Sequence, residues 1–170
     1  MKLFKISNII FVLILFSCSK TTNVPLPITT SSSEALEFYN TGWYHWGDHD
    51  GLKQSEYMKK ALDIDPDFIL ANLFVVEPDP NKRKQFRDRA IANKNTGNEA
   101  EKLLVEMFEA GREGQSGERI NLGKKLVEKY PNTAQAYMEL GDAYNDALEF
   151  DTAAENYKKA VKIDPQNVET

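Results

Sequence analysis

The amino-acid sequence predicts an all-α protein, an α-solenoid of about four antiparallel helix hairpins. Within residues 134–167, apolar and small side chains recur at three- and four-residue steps, which places them along one stripe of each of two amphipathic helices. Pro131 and Pro165 each end a helical stretch because proline lacks a backbone N–H, and they lie 34 residues apart. One hairpin cannot bury its stripe alone, so neighbouring hairpins must stack against it.

The repeat can be followed back to the first third of the chain. Residues 59–66 read KKALDIDP and residues 158–165 read KKAVKIDP. The same alignment also places Gly42 under Gly141 without a gap. With its 34-residue period, the chain here resembles the tetratricopeptide repeat family. The residues that carry the resemblance are Gly42, Ala61, Pro66, Pro131, Tyr137, Leu140, Gly141, Tyr144, Ala153, Tyr157, Ala160 and Pro165.

The resemblance implies a helical repeat domain over residues 34–170. Its four repeats are expected at residues 35–68, 69–99, 100–133 and 134–167. The fourth repeat agrees with the family pattern at every signature position, whereas the first and third depart from it at several. The second repeat is three residues short and carries Pro78 and Pro80 between its helices, which predicts a distorted hairpin.

The chain stops three residues after the fourth repeat. A terminal repeat needs a polar outer face or a capping helix, because its last apolar stripe otherwise meets water. We therefore expect either that the array continues in a longer chain or that a partner covers Tyr157, Ala160 and Val161.

The first 17 residues differ from the rest in composition. Two lysines precede eight consecutive apolar residues at 9–16, and a membrane-crossing helix would need roughly 20, so residues 1–17 predict a signal peptide. The tetrapeptide LFSC, which ends at Cys18, resembles the lipobox of bacterial lipoproteins, and this implies lipid attachment to Cys18. The alternative is an ordinary secretory signal followed by an incidental cysteine.

Residues 18–33 predict an extended and mobile tether. They are rich in Ser and Thr, contain Pro25 and Pro27 and lack aromatic residues, so they bury too little apolar surface to offset the entropy of ordering. Each buried CH₂ of a lipid contributes about 0.8 kcal/mol, so an acylated Cys18 would hold the domain at a bilayer. The lipobox resemblance implies a lipid-anchored protein of a bacterial cell envelope and, if the cell is Gram-negative, of its outer membrane, facing the periplasm or the surface.

Charge argues against a nucleic-acid partner. The chain carries 26 acidic and 21 basic side chains, for a formal net charge of −5, whereas phosphates favour clustered Lys and Arg. The locally basic stretch 82–89 includes Gln85, Phe86 and Asp88, so we interpret it as the solvated face of a helix.

The sequence contains no catalytic motif. It lacks His-Glu-x-x-His, Gly-x-Ser-x-Gly and a phosphate-binding glycine loop. His45 and His49, four residues apart, could share zinc with Asp48 or Asp50. However, His45 occupies the position of a packed aromatic residue in the fourth repeat, and His49 follows a glycine that breaks the helix. We predict no enzyme activity, no metal and no cofactor.

The family resemblance also implies a concave groove lined by the first helix of each hairpin. The corresponding positions are Leu36, Tyr39, Trp43, Trp46 and Gly47 in the first repeat, and Gln135, Met138, Asp142, Asn145 and Asp146 in the fourth. We therefore expect a groove that is aromatic at one end and acidic at the other. Exposed aromatic residues favour binding because they offer a large contact area at low entropy cost.

These features predict a scaffold or adaptor that binds a protein or peptide partner in the groove. Two alternatives stay open. The cluster of Tyr39, Trp43 and Trp46 could instead stack on a glycan or another small ligand. The same aromatic residues could also serve packing alone, under the tether or against the second repeat.

Overall fold

The computed structural model describes residues 22–47 and 50–165, and within these ranges it contains eight α-helices and no strand. The helices are α1 (Ser33–Gly47), α2 (Gly51–Ile64), α3 (Ile69–Phe74), α4 (Pro80–Asn93), α5 (Glu99–Arg112), α6 (Ser116–Lys129), α7 (Ala134–Asp146) and α8 (Phe150–Ile163). Each predicted repeat contains two of them. The all-α prediction is confirmed, whereas the predicted signal peptide and Cys18 lie outside the described residues.

Each helix packs against the next along the chain, and the most extensive contacts join α1 to α2 and α7 to α8. A Cβ added at Gly141 of α7 would lie 2.5 Å from Cε1 of Tyr157 in α8, and one added at Gly42 of α1 would lie 3.1 Å from Cε of Met58 in α2. Small residues at these positions therefore allow the paired helices to approach closely.

The last hairpin covers more of its own stripe than the sequence led us to expect. Ala160 is fully buried, and Tyr157 is half-buried against α7. The expectation that Ala160 lies uncovered at the end of the array is thus wrong, because this small side chain fits into the close contact between α7 and α8.

The second hairpin departs from the other three. Helix α3 is only six residues long, and α4 begins at Pro80 after an irregular linker that contains Pro78. Most of α4 is exposed, and Ala90 is its buried residue. The shortened inner helix leaves room beside it, and this room becomes part of the site described below.

Residues 22–32 form an extended segment that runs across the loops of three repeats. The expectation of a mobile tether is wrong for this part, because its backbone is hydrogen-bonded along its length. The bonds are donated by Val24 N to Asn132 O (2.9 Å), Thr29 N to Glu101 Oε1 (2.7 Å) and Ser31 N to Asp65 Oδ2 (2.8 Å). Leu26 is 3 % exposed, so the segment also contributes to the core.

Asp65 holds one end of this segment. Its Oδ2 also accepts a bond from the hydroxyl of Thr30 at 2.7 Å. Burial acts to raise the pKa of Asp65, but the hydrogen bonds from Thr30 and Ser31 outweigh it and hold the pKa below its ordinary value. The ionised carboxylate is therefore the form that binds the segment.

Candidate ligand-binding cavity

The inner helices enclose a cavity of about 560 Å³, which we call the inner cavity. Side chains from α1 to α7 line it, together with Asn23 and Pro25 of the extended segment. Its volume falls within the range of roughly 300–1,000 Å³ that is usual for ligand pockets. The inner cavity lies where the sequence predicted a concave groove.

One side of the inner cavity is aromatic. The ring of Trp43 packs on Phe74 of α3 with centroids 5.0 Å apart, and it meets the ring of Tyr39 edge-on at 6.2 Å. The indole Nε1 of Trp43 donates a hydrogen bond of 2.6 Å to the Tyr39 hydroxyl. Trp43 is half-buried, so part of its ring remains accessible from the cavity.

Tyr39 does not line the cavity. It is fully buried, packs against Phe68 at 5.0 Å, and positions Trp43 from behind. Burial raises the pKa of the Tyr39 hydroxyl, which therefore stays protonated. The expectation that Tyr39 is a groove anchor is wrong in placement, because Phe68, the residue that caps α3, packs on its ring. Packing against the second repeat was one of the open alternatives.

The side of the inner cavity formed by α7 is acidic. Burial, reinforced by the neighbouring Asp142 and opposed by Arg119, raises the pKa of Glu139 to about 8. Glu139 has no hydrogen-bond or ion-pair partner among the residues that the structure describes. Burial likewise raises the pKa of Asp142, whose Oδ1 accepts a bond of 2.7 Å from the Tyr157 hydroxyl.

Three arginines also reach the inner cavity, and two of them bind other residues of the chain. Arg119 of α6 forms an ion pair with Asp146 through Nη1, while its buried Nε has no acceptor among the described residues. Arg87 of α4 donates from Nη1 to the carbonyl oxygen of Asn72 at 3.0 Å, and its guanidinium lies 5.2 Å from the Phe108 ring centroid. The third arginine, Arg112 of α5, is exposed, and its guanidinium also lies over the Phe108 ring.

The position of Arg87 corrects part of the sequence interpretation. Residues 82–85, 88 and 89 are exposed as expected of a solvated face, but Arg87 turns inward and Phe86 is half-buried against the core. Burial, together with the nearby Arg83, lowers the pKa of Arg87 to about 10, so the guanidinium still carries its charge at neutral pH.

The structure brings together five of the predicted groove residues. Those that line the inner cavity are Trp43, Gln135, Met138, Asp142 and Asp146. Leu36 is half-buried against the core, and Asn145 is exposed away from the cavity. The structure describes the backbone of Trp46 and Gly47 as part of α1 but not the side chain of Trp46 or the surroundings of Gly47.

Sequence reasoning missed several lining residues, namely Phe74, Arg87, Phe108, Arg119 and Glu139. Phe74 and Phe108 lie on the first helices of the second and third repeats, where groove positions were not assigned. Extending the 34-residue register to the third repeat would have been the signal for Phe108. For Arg87 the sequence carries no such signal, because its orientation depends on the short α3.

The structure offers little to the zinc hypothesis. Within residues 22–47 and 50–165, no group of three or more His, Cys, Asp or Glu side chains is arranged to hold a metal ion. His45 stacks on Tyr57 with centroids 5.4 Å apart. Of the partners proposed for it, His49 and Asp48 lie outside the described residues, and Asp50 caps α2 by accepting a hydrogen bond from Lys53 N (3.0 Å). In the same described part, no helix is both long and apolar enough to cross a membrane.

Comparison with known families adds one finding. The family model described as tetratricopeptide repeat matches residues 134–167. A search of curated proteins returned no match. The chain thus contains a tetratricopeptide repeat at its last hairpin and has an all-helical repeat fold. Such repeats generally mediate protein–protein interactions through extended concave surfaces.

Proposed function

We propose that this protein is a non-catalytic scaffold that binds a segment of a partner protein in the inner cavity. We further propose that a lipid on Cys18 holds it at the bacterial cell envelope. The observation that supports binding is the cavity itself, in which accessible apolar surface lies beside an unpaired carboxyl group. Trp43, Phe108 and Met138 supply the apolar surface, and Glu139 supplies the carboxyl group.

A peptide segment fits these features better than a stacked sugar. The lining extends from Trp43 in the first repeat to Asp146 in the fourth, so an extended chain would meet both apolar and charged groups along its length. The glycan alternative needs several open aromatic faces. Tyr39 is fully buried and Trp43 is partly covered by Phe74, which weighs against that platform.

Site-specific photo-crosslinking in intact cells tests the binding proposal. A photoreactive phenylalanine analogue at Phe108 should yield a discrete protein adduct, whereas the same analogue at exposed Glu155 of α8 should not. Absence of any protein adduct from position 108 would refute peptide binding in the inner cavity. Quenching of tryptophan fluorescence by oligosaccharides would then favour the glycan alternative.

The anchor is tested separately. Cys18→Ala should move the protein from the membrane pellet to the soluble fraction and abolish labelling by an alkyne-tagged fatty acid, because the acylated thiol is removed. A variant that still sediments with membranes and still incorporates the label would contradict lipid attachment at this residue.

A further inference from the structure

The charges around the inner cavity are unevenly matched. Of the α7 carboxylates, Asp146 has a cationic partner in Arg119, and Asp142 accepts a bond from the neutral Tyr157 hydroxyl. Glu139, on the same helix, has no partner within the described part of the chain. Among the described residues, Arg119 lies close enough to lower the pKa of both Glu139 and Asp142, but no cation forms an ion pair with either carboxyl group.

The arginines of the cavity are only partly engaged. Arg87 donates to the carbonyl oxygens of Asn72 and Val75, and Arg119 is paired with Asp146, although its buried Nε has no acceptor among the described residues. Arg112 is exposed and lies 5.8 Å from the Phe108 ring centroid. A ligand carboxylate that reached these donors would also lie beside the acidic side chains of α7, where a basic ligand finds acceptors.

The cavity also holds buried polar atoms that lack a partner among the described residues, namely the acceptor Gln54 Oε1 and the donors Gln135 Nε2 and Arg119 Nε. Gln54 of α2 lines the same cavity and is only 1 % exposed. Its Nε2 donates to the carbonyl oxygen of Phe74 at 3.2 Å, but its Oε1 has no hydrogen-bond partner among the described residues. A buried acceptor without a donor costs about 1–3 kcal/mol, which a ligand with N–H groups would recover.

The walls suit the stem of a long basic side chain. Lys and Arg bury their methylene groups along apolar surface while the charged end reaches a polar partner. Trp43, Phe108 and Met138 offer such a surface beside the carboxylates, and the aromatic rings also attract a cation.

We propose that the inner cavity selects partner segments through a Lys or Arg side chain that pairs with Glu139 and Asp142. This inference rests on the proposed peptide-binding function. It assigns the recognised chemistry to α7 and makes Glu139 the residue that distinguishes a basic segment from an apolar one.

Selection from a random heptapeptide display library tests the inference without knowledge of the partner. Peptides selected on the wild-type protein should be enriched in Lys and Arg over the unselected library. That enrichment should disappear on Glu139→Gln, which is nearly isosteric and whose folding is checked by circular dichroism. It should persist on Glu155→Gln, which removes an equal charge from the exposed face of α8.

A second measurement needs no variant. Replacing the enriched basic residue of a selected peptide by norleucine should weaken its binding to the wild-type protein about tenfold, since a charged pair in a partly buried site is lost. Selected peptides without basic enrichment, or an unchanged affinity of the norleucine peptide, would overturn the inference and leave peptide binding intact. If the wild type selects no more peptides than Met138→Lys, in which a long cationic side chain fills the cavity and pairs with its carboxylates, both proposals fail.

Discussion

Gly141→Ala measures how closely α7 and α8 approach each other. The added Cβ would lie 2.5 Å from Cε1 and 2.7 Å from Cδ1 of the Tyr157 ring. The ring cannot turn aside freely, because its hydroxyl donates to Asp142. Overpacking of this kind costs about 1–3 kcal/mol, whereas the better helix propensity of alanine returns at most about 1 kcal/mol. We expect a net loss of about 1–2 kcal/mol.

Urea unfolding followed by circular dichroism gives this free energy, and Gly117→Ala is the matched control. Gly117 in α6 has no neighbouring atom within 4 Å of an added Cβ, so the same substitution there should stabilise the protein by up to about 1 kcal/mol. Combining Gly141→Ala with Tyr157→Leu should cost less than the sum of the two changes, because the clashing ring is gone. If Gly141→Ala is as stable as the wild type while the control behaves as expected, the close helix contact is refuted.

Three further predictions concern backbone strain, pH and the extended segment. Leu148 has φ of 62° in the turn after α7 and is exposed, so Leu148→Gly should raise the free energy of unfolding by about 1 kcal/mol; an unchanged value in urea titration would contradict the strain. The pKa of Glu139 is about 8 when folded and about 4.3 in the unfolded chain, so its contribution to stability is complete below about pH 4 and is lost as the pH rises to about 8. Relative to the wild type, Glu139→Gln should therefore gain stability as the pH rises from 5 to 9. The gain should be about 2 kcal/mol once screening by solvent in the open cavity is allowed for. A difference between the two unfolding free energies that does not change with pH would count against a buried acid at position 139. Asp65→Ala removes the acceptor for Thr30 and Ser31, so amide hydrogen exchange in residues 22–32 should accelerate roughly tenfold while α7 and α8 exchange as before. Equal acceleration in all helices would mean that the substitution does not release the extended segment alone.

The repeated hairpin could be predicted because its cause is local and periodic. Gly141 and Ala160 are small where two helices touch, and Pro131 and Pro165 end helices for a covalent reason. These constraints recur with every hairpin, so a single chain displays them several times. That redundancy is what a sequence can reveal without any structure.

The aromatic side of the inner cavity could be predicted only in part. The family register placed Tyr39 and Trp43 on the inner face of the first repeat, which holds for Trp43. Phe68, just before α3, packs on the ring of Tyr39, which is fully buried, and Phe74, at the end of α3, packs on the ring of Trp43. The register of one repeat therefore does not determine the exposure of its residues when the next repeat is distorted.

The inward turn of Arg87 has the same origin. The last carbonyl groups of any helix lack intrahelical partners. At the C-terminal end of α3, Arg87 donates hydrogen bonds to two such groups, the carbonyl oxygens of Asn72 and of Val75, the residue that follows the helix. The pattern of charges along α4 cannot reveal the orientation of Arg87, because the unpaired carbonyl groups that it binds lie at the end of another helix.

The extended segment was misjudged for a related reason. Its composition predicts little apolar burial, and the prediction of mobility rests on apolar burial alone. Its backbone groups pair instead with loops whose acceptors and donors would otherwise face water, such as Asn132 O and the side chain of Glu101. Hydrogen bonds to distant loops leave no trace in local composition.

The fixed segment changes what the proposed lipid anchor would do. Thr22 lies four positions after Cys18, and a fully extended chain covers at most about 3.6 Å per residue, or roughly 14 Å over this stretch. Asn23 follows at once, and its Nδ2 donates to Asp164 at the end of α8 (2.7 Å). An acylated Cys18 would thus hold the last repeat close to the bilayer instead of letting the domain swing on a long tether. Since Asn23 and Asp164 both line the inner cavity, its acidic side would meet partners that are themselves near the membrane, where anchoring raises their effective concentration.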